Sequence, residues 1–163
     1  MRIELIGLTK YTISSNPIEL DDYLNRSYAV YCAINSSGKT FYYFMPDEAR
    51  GPDPRCDYLL VCDEDCSARF IELKGADLSS GSDCCKNIWA HAFHQLAATF
   101  EEYKTLIDSE KDVVKMILCT SVHRINGEKK RSAARYKQYR YYKKILKFGI
   151  IPKILYCDDK DEI

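Results

Sequence analysis

Residues 56–75, CDYLLVCDEDCSARFIELKG, constrain the fold of this chain more than any other stretch. Two short apolar runs flank an acidic turn, the pattern of two antiparallel strands. If Cys62 pairs with Ser67, a four-residue loop of Asp63, Glu64, Asp65 and Cys66 joins them, and Asp57 faces Glu72. Opposed residues on antiparallel strands hold their Cβ atoms roughly 4.5–5.5 Å apart, which suits two carboxylates sharing one divalent cation. Lys74 stands two residues beyond Glu72 and, because strand side chains alternate, points the same way. Leu59, Val61 and Phe70 share the carboxylate face, while Leu60, Ile71 and Leu73 take the other, so the sheet is expected to be covered on both sides. The plainer reading is a Glu–Lys pair and an unrelated Asp on an exposed face. Apolar neighbours weigh against it, because a buried charge needs a partner or a metal.

Around this hairpin, residues 2–8 alternate loosely as a short strand. Ser14-Ser15-Asn16 with Pro17 reads as a helix start, with Glu19–Leu24 as a short helix. Tyr28–Ile34 and Thr40–Met45 read as strands joined by the turn Asn35-Ser36-Ser37-Gly38, an N-terminal hairpin. Pro46–Pro54 carries three prolines and one glycine and is expected to be a loop. After the polar stretch 75–83, Ile88, Ala92, Leu96, Phe100, Tyr103 and Ile107 recur at helical spacing over 84–107. Val113–Thr120 is a central-strand run, Asn126-Gly127 a turn, 131–147 a basic helix ended by Gly149, and Ile150–Cys157 a last strand. The later β-α-β-α-β order implies crossovers and a mixed sheet flanked by helices.

A length of 163 residues suits one domain, with 1–45 as extension and first strands, 46–157 as core and 158–163 as an acidic tail. The 24 basic and 24 acidic residues cancel, so the distribution of charge has to decide whether a polyanion binds. Residues 129–147 supply the asymmetry, with nine basic residues and no acid in nineteen positions. Lys129, Lys130, Arg131, Arg135, Lys137 and Arg140 interleave there with Tyr136, Tyr139, Tyr141 and Tyr142. Such a segment neutralises phosphates and offers rings for stacking. The alternative is a solvated face whose tyrosines pack on the core.

Eight cysteines are present, but no stretch reads as a signal peptide and no window is apolar enough to span a membrane. A cytoplasmic protein with reduced thiols is the expectation. Cys62-x3-Cys66 with the vicinal Cys84-Cys85 is a poor zinc set, because adjacent cysteines rarely supply two ligands to one ion.

Asp57, the fourteen-residue gap and Glu72-Leu73-Lys74, followed by helix, strand, helix and strand, resemble the PD-(D/E)xK nuclease superfamily over roughly residues 40–157. The resemblance implies a restriction-endonuclease-like α/β core (an α+β mixed sheet) and hydrolysis of phosphodiesters. It makes Asp57 and Glu72 magnesium or manganese ligands, the Leu73 carbonyl a further ligand, and Lys74 the residue assisting the attacking water. Gln95 matches a helix glutamine frequent in related nucleases. The sequence departs from the pattern at Thr99, where a tyrosine often stands, and at Cys56, which replaces the proline before Asp57. The literal Pro52-Asp53 pair lies in the proline-rich loop, so Asp53 is a lesser alternative. An additional N-terminal acid has Glu19 and Glu48 as candidates. The implied partner is nucleic acid, DNA before RNA, with a homodimer or a larger nuclease or defence complex in keeping with the small surface. A catalytically weak nucleic-acid-binding or assembly subunit of the same fold is the alternative.

Overall fold

A computed structural model describes residues 7–22, 29–48, 54–75, 83–107, 113–121, 143 and 145–163, with the side chains of the long helix from Ala90 onward. The strands are β1 (Tyr11–Ile13), β2 (Ile18–Asp21), β3 (Val30–Ile34), β4 (Phe41–Phe44), β5 (Tyr58–Cys62), β6 (Ser67–Lys74), β7 (Val113–Thr120), β8 (Lys153–Leu155) and β9 (Asp161–Glu162). Helix α1 runs from Asp83 to Tyr103 and continues as a 3-10 turn over Lys104–Leu106. The fold is mixed α+β, with a six-stranded sheet in the order β1-β4-β5-β6-β7-β8 and a three-stranded sheet in the order β2-β3-β9.

The β5–β6 hairpin has the expected register. Cys62 pairs with Ser67 and Tyr58 with Ile71 across antiparallel strands. Beyond it the sheet turns parallel: β6 pairs with β7, and β7 with β8. That change of direction requires crossovers, and α1 provides the first.

The hairpin's two faces separate as its alternation predicts. Leu59, Val61 and Phe70 pack with Ala92, Phe93, Leu96 and Met116 under α1. Leu60, Ile71 and Leu73 pack with Ile18, Leu20, Tyr31 and Ala33 of the small sheet. Helices were expected on both faces, but the second is covered by a sheet. Among the described residues α1 is the one long helix.

Three local expectations change. Residues 18–21 form a strand, not a helix, because Ile18 and Leu20 bury while Glu19 and Asp21 stay out, a period of two. The strands on either side of Asn35–Gly38 do not pair with each other, since β3 belongs to the small sheet and β4 to the large one. Asn35 builds this switch point, accepting the Lys39 N–H at 3.0 Å and donating to the Lys39 carbonyl at 2.8 Å. Gly38 takes φ +65°, which glycine adopts without cost. Finally, the acidic tail is a structural element. Asp161 and Glu162 run parallel to Ala33 and Ile34, and Asp161 is buried against the large sheet.

The acidic turn of the hairpin is also tethered. Lys39 Nζ donates to Asp65 Oδ2 at 2.8 Å, and Thr40 N–H donates to Glu64 Oε1 at 3.3 Å. Burial alone would raise the Asp65 carboxyl, but hydrogen bonds from Lys39 and Ser67 bring it below its ordinary value. β1 has little sequence signal, being three residues long, yet it closes the edge of the large sheet by pairing with β4. Gly149, at φ +74°, ends the helical turn as expected, with its N–H on the Leu146 carbonyl. Residues 2–6, Tyr23–Leu24 of the expected helix, Asn126-Gly127 and most of the basic helix lie outside the described residues.

Candidate functional site

Asp57 sits one residue before β5, and Glu72 and Lys74 lie on β6. Continuing the antiparallel register one step past the Tyr58–Ile71 pair sets Asp57 opposite Glu72. Asp57 Oδ2 accepts the backbone N–H of Leu73 at 2.7 Å, which pins this carboxylate to the neighbouring strand. The hydrogen bond comes from the residue whose carbonyl is the expected third ligand.

Glu72 is fully buried, and its Oε2 has no hydrogen-bond partner among the described residues. Its polar contact is the ion pair with the Lys74 ammonium at Oε1. Burial pushes the Glu72 carboxyl well above its ordinary value, and the charge of Asp57 adds to this, while Lys74 opposes it. Asp57 is raised to about 6, first by burial and then by the charges of Asp22 and Asp47, against the lowering effects of the Leu73 N–H and Lys74. Two acids of raised proton affinity beside one cation form a site short of positive charge.

Helix α1 clamps this site from above. Lys74 Nζ donates to Gln95 Oε1 at 2.9 Å, and Gln95 Nε2 donates to the Arg55 carbonyl at 2.9 Å. Thr99, one turn on, accepts the Cys56 N–H at 2.8 Å, and its own hydroxyl donates to the Gln95 carbonyl at 2.8 Å. Arg55 and Cys56 are the two residues leading into Asp57. The helix therefore holds both the lysine and the approach to the first carboxylate, and the threonine that breaks the expected Gln-xxx-Tyr pattern has a positioning role of its own. His91, four residues before Gln95, shares its helix face. Partial burial and the charges of Lys74 and His94 hold its imidazole below the ordinary value.

Glu19 and Glu48 are both exposed, and the charges that reach Asp57 belong to Asp22 and Asp47. Asp22 follows β2, and Asp47 lies in the 3-10 turn Pro46–Glu48 that follows β4. Only the pairing of β4 with β5 brings that turn beside Asp57, and this long-range fact leaves no local signal.

Among the described residues no three of His, Cys, Asp and Glu gather as a metal cluster, so the candidate set is two carboxylates and one carbonyl. Asp53, Lys129, Lys130, Arg131, Arg135, Lys137 and Arg140 lie outside the described residues, as do the side chains of Cys84 and Cys85. Cys62 is buried and Cys66 lies in the turn, both as free thiols. No helix of the described residues is long and apolar enough to cross a membrane. Comparison of the chain with protein-family models, curated proteins and solved structures finds no match.

Proposed function

We propose that this protein is a metal-dependent nuclease that hydrolyses phosphodiester bonds, with the restriction-endonuclease-like core that the sequence resembles. The observation that carries the reading is Glu72. A buried carboxylate that meets one lysine ammonium at Oε1, and whose Oε2 has no hydrogen-bond partner among the described residues, is costly to keep ionised unless it gains a proton or a further cation. Asp57 beside it makes a second anionic ligand, and the pair is the hard-oxygen set that magnesium or manganese takes, with waters completing the shell. Asp57, Glu72 and the Leu73 carbonyl would hold the ion. A divalent cation there supplies positive charge to a bound phosphate and acidifies water.

The chain's own residues do the rest. Lys74, held by Gln95 at 2.9 Å, keeps an ammonium at the mouth of the site, where it orients water and offsets charge growing on the phosphate. Gln95 and Thr99 fix that lysine and the residues before Asp57 to one helix face, so the constellation is preorganised. The basic segment from Lys129 to Arg140 binds the nucleic-acid backbone, a reading that rests on sequence alone. DNA is the favoured polymer.

Incubation of the purified protein with DNA and RNA, in magnesium, manganese or EDTA, tests this. Cleavage that needs the metal and is lost in Lys74→Ala is expected. Metal-independent binding with no cleavage by the wild type would sink the nuclease and leave a nucleic-acid-binding or assembly subunit.

A further inference from the structure

On the face of β5 opposite the carboxylates, a cleft of about 270 Å³ opens between the sheets, lined by Tyr11, Glu19, Asp21, Tyr43, Met45 and Tyr58 and floored by Leu20. Three rings run along it. Tyr11 stacks on Tyr43 with centroids 4.9 Å apart and planes at 15°, and Tyr58 meets Tyr43 edge-on at 6.0 Å and 65°. The Tyr58 hydroxyl donates to the Asp21 carbonyl, which ties the inner ring to the small sheet. Tyr11, on the edge strand, is 36 % exposed, so the outer end of the row is open to solvent.

This cleft and the candidate site occupy the same end of the same strand. Tyr58 directly follows Asp57, and Met45 directly precedes the Pro46–Glu48 turn whose Asp47 acts on Asp57.

We propose that the cleft takes one unstacked nucleobase bearing an exocyclic amino group, so that the substrate is single-stranded or locally opened where it is cut. This deepens the nuclease reading and rests on it. The chemistry of the lining selects the occupant. Aromatic faces stack bases of any sequence, and carboxylates accept from exocyclic amines such as the N4 group of cytosine. The same carboxylates, Glu19 and Asp21, repel a phosphate, which excludes the backbone and leaves a neutral base as the fitting group. The cleft lies just below the roughly 300–1,000 Å³ of pockets that hold drug-sized ligands, in keeping with a single ring system. A flexible single strand can pass the end of a sheet with its phosphate on one face and a base on the other, whereas a stiff duplex cannot.

Binding is measured in EDTA, where no cleavage intervenes, with short single-stranded oligonucleotides of adenine, cytosine or thymine and with a matched duplex. The expected result is tighter binding of adenine and cytosine strands than of thymine strands. Tyr11→Ala is expected to weaken the adenine and cytosine strands by about tenfold, the scale of one lost base stack, with much less effect on the duplex. Tyr11→Phe keeps the ring and is expected to keep the affinity, and Glu19→Gln, at an exposed position, is expected to narrow the preference over thymine. Equal affinity for all three strands, or equal weakening of strand and duplex by Tyr11→Ala, overturns the subsite. Cleavage with magnesium, read on the same proteins, separates the two ideas. Binding that tracks Tyr11 in a protein that never cleaves keeps the subsite and ends the nuclease. Metal-dependent cleavage indifferent to Tyr11 does the reverse.

Discussion

Glu72 and Asp161 are carboxylates of nearly equal burial, 0 % and 1 % exposed, on opposite faces of the large sheet, and their surroundings differ completely. Asp161 Oδ2 accepts from the Tyr31 hydroxyl at 3.0 Å and from Arg69 Nε at 3.2 Å, and its Oδ1 accepts from Lys153 Nζ at 2.8 Å. Arg69 is further held by the Ser67 hydroxyl at 2.8 Å. Burial alone would raise the Asp161 carboxyl, but the hydrogen bond and charge of Lys153 overcome it and hold the group below its ordinary value. Glu72 has one ammonium on Oε1, no partner for Oε2 among the described residues, and a proton affinity raised by burial and Asp57. The first is a finished structural joint that locks the C-terminal strand and small sheet to β6. The second is unfinished, and binding a cation would complete it.

The largest expected effect breaks the comparison through activity. Lys74→Ala should lower cleavage by about 10²–10³-fold, the cost of removing one preorganised charge-stabilising donor, and should lower the unfolding temperature less than Asp161→Ala does, because buried Glu72 takes up a proton once its ammonium is gone. Asp161→Ala should do the opposite. It leaves Arg69, itself 3 % exposed, without its carboxylate, and losing one partner of a buried pair costs about 3–5 kcal/mol. At this size that lowers the unfolding temperature by about 10 °C. Thermal unfolding and initial rates on both variants decide the matter. A Lys74→Ala protein that unfolds early yet still cleaves reverses the assignment.

A smaller effect appears in the pH dependence of stability. The Asp57 carboxyl is raised from 3.8 to about 6 in the folded state, so between these values the folded protein binds more protons than the unfolded chain. Stability contributed by this group therefore falls as pH rises through that window and stays low above it. Asp161 has the reverse sign: its carboxyl is lowered, so its contribution is complete above the unfolded value and is lost only as pH falls below it. In EDTA, Asp57→Asn should therefore be more stable than the wild type above pH 6, with the gap closing toward pH 4. Magnesium should shrink the gap by stabilising only the wild type. A gap constant across pH, or unchanged by magnesium, breaks the link between the raised carboxyl and a cation.

How much of this was legible follows from the range of the interactions. The β5–β6 register, the two faces of the hairpin and α1 are written in local periodicity, so the juxtaposition of Asp57, Glu72 and Lys74 is legible in the sequence. The small sheet was not. Its middle strand β3 joins β2 to a two-residue strand at the chain's end, and DDKDEI has the composition of a solvated tail. Only the Arg69, Tyr31 and Lys153 donors, 92, 130 and 8 residues from Asp161 in sequence, make burying that acid favourable. The charges of Asp22 and Asp47 on Asp57 have no local signal for the same reason. The tyrosine row has no local signature either, because it forms where β1 pairs with β4.

Gln95 gives the smallest and most discriminating effect. It accepts from Lys74 and donates to the Arg55 carbonyl, so it acts on both halves of the site while touching neither carboxylate. Gln95→Ala should cost about 1 kcal/mol of stability, the net value of an ordinary hydrogen bond. Its effect on cleavage should be larger, about tenfold, because Lys74 loses one of the two contacts that place its ammonium. Gln95→Glu separates the two roles: the new carboxylate still accepts from Lys74 but no longer donates to Arg55. If Gln95 serves mainly to place the lysine, Gln95→Glu keeps most of the cleavage that Gln95→Ala loses. If it serves mainly to hold the approach to Asp57, the two variants fall together, and magnesium affinity falls with them. Either result locates the weak point of the unfinished joint, which the tightly bonded Asp161 joint lacks.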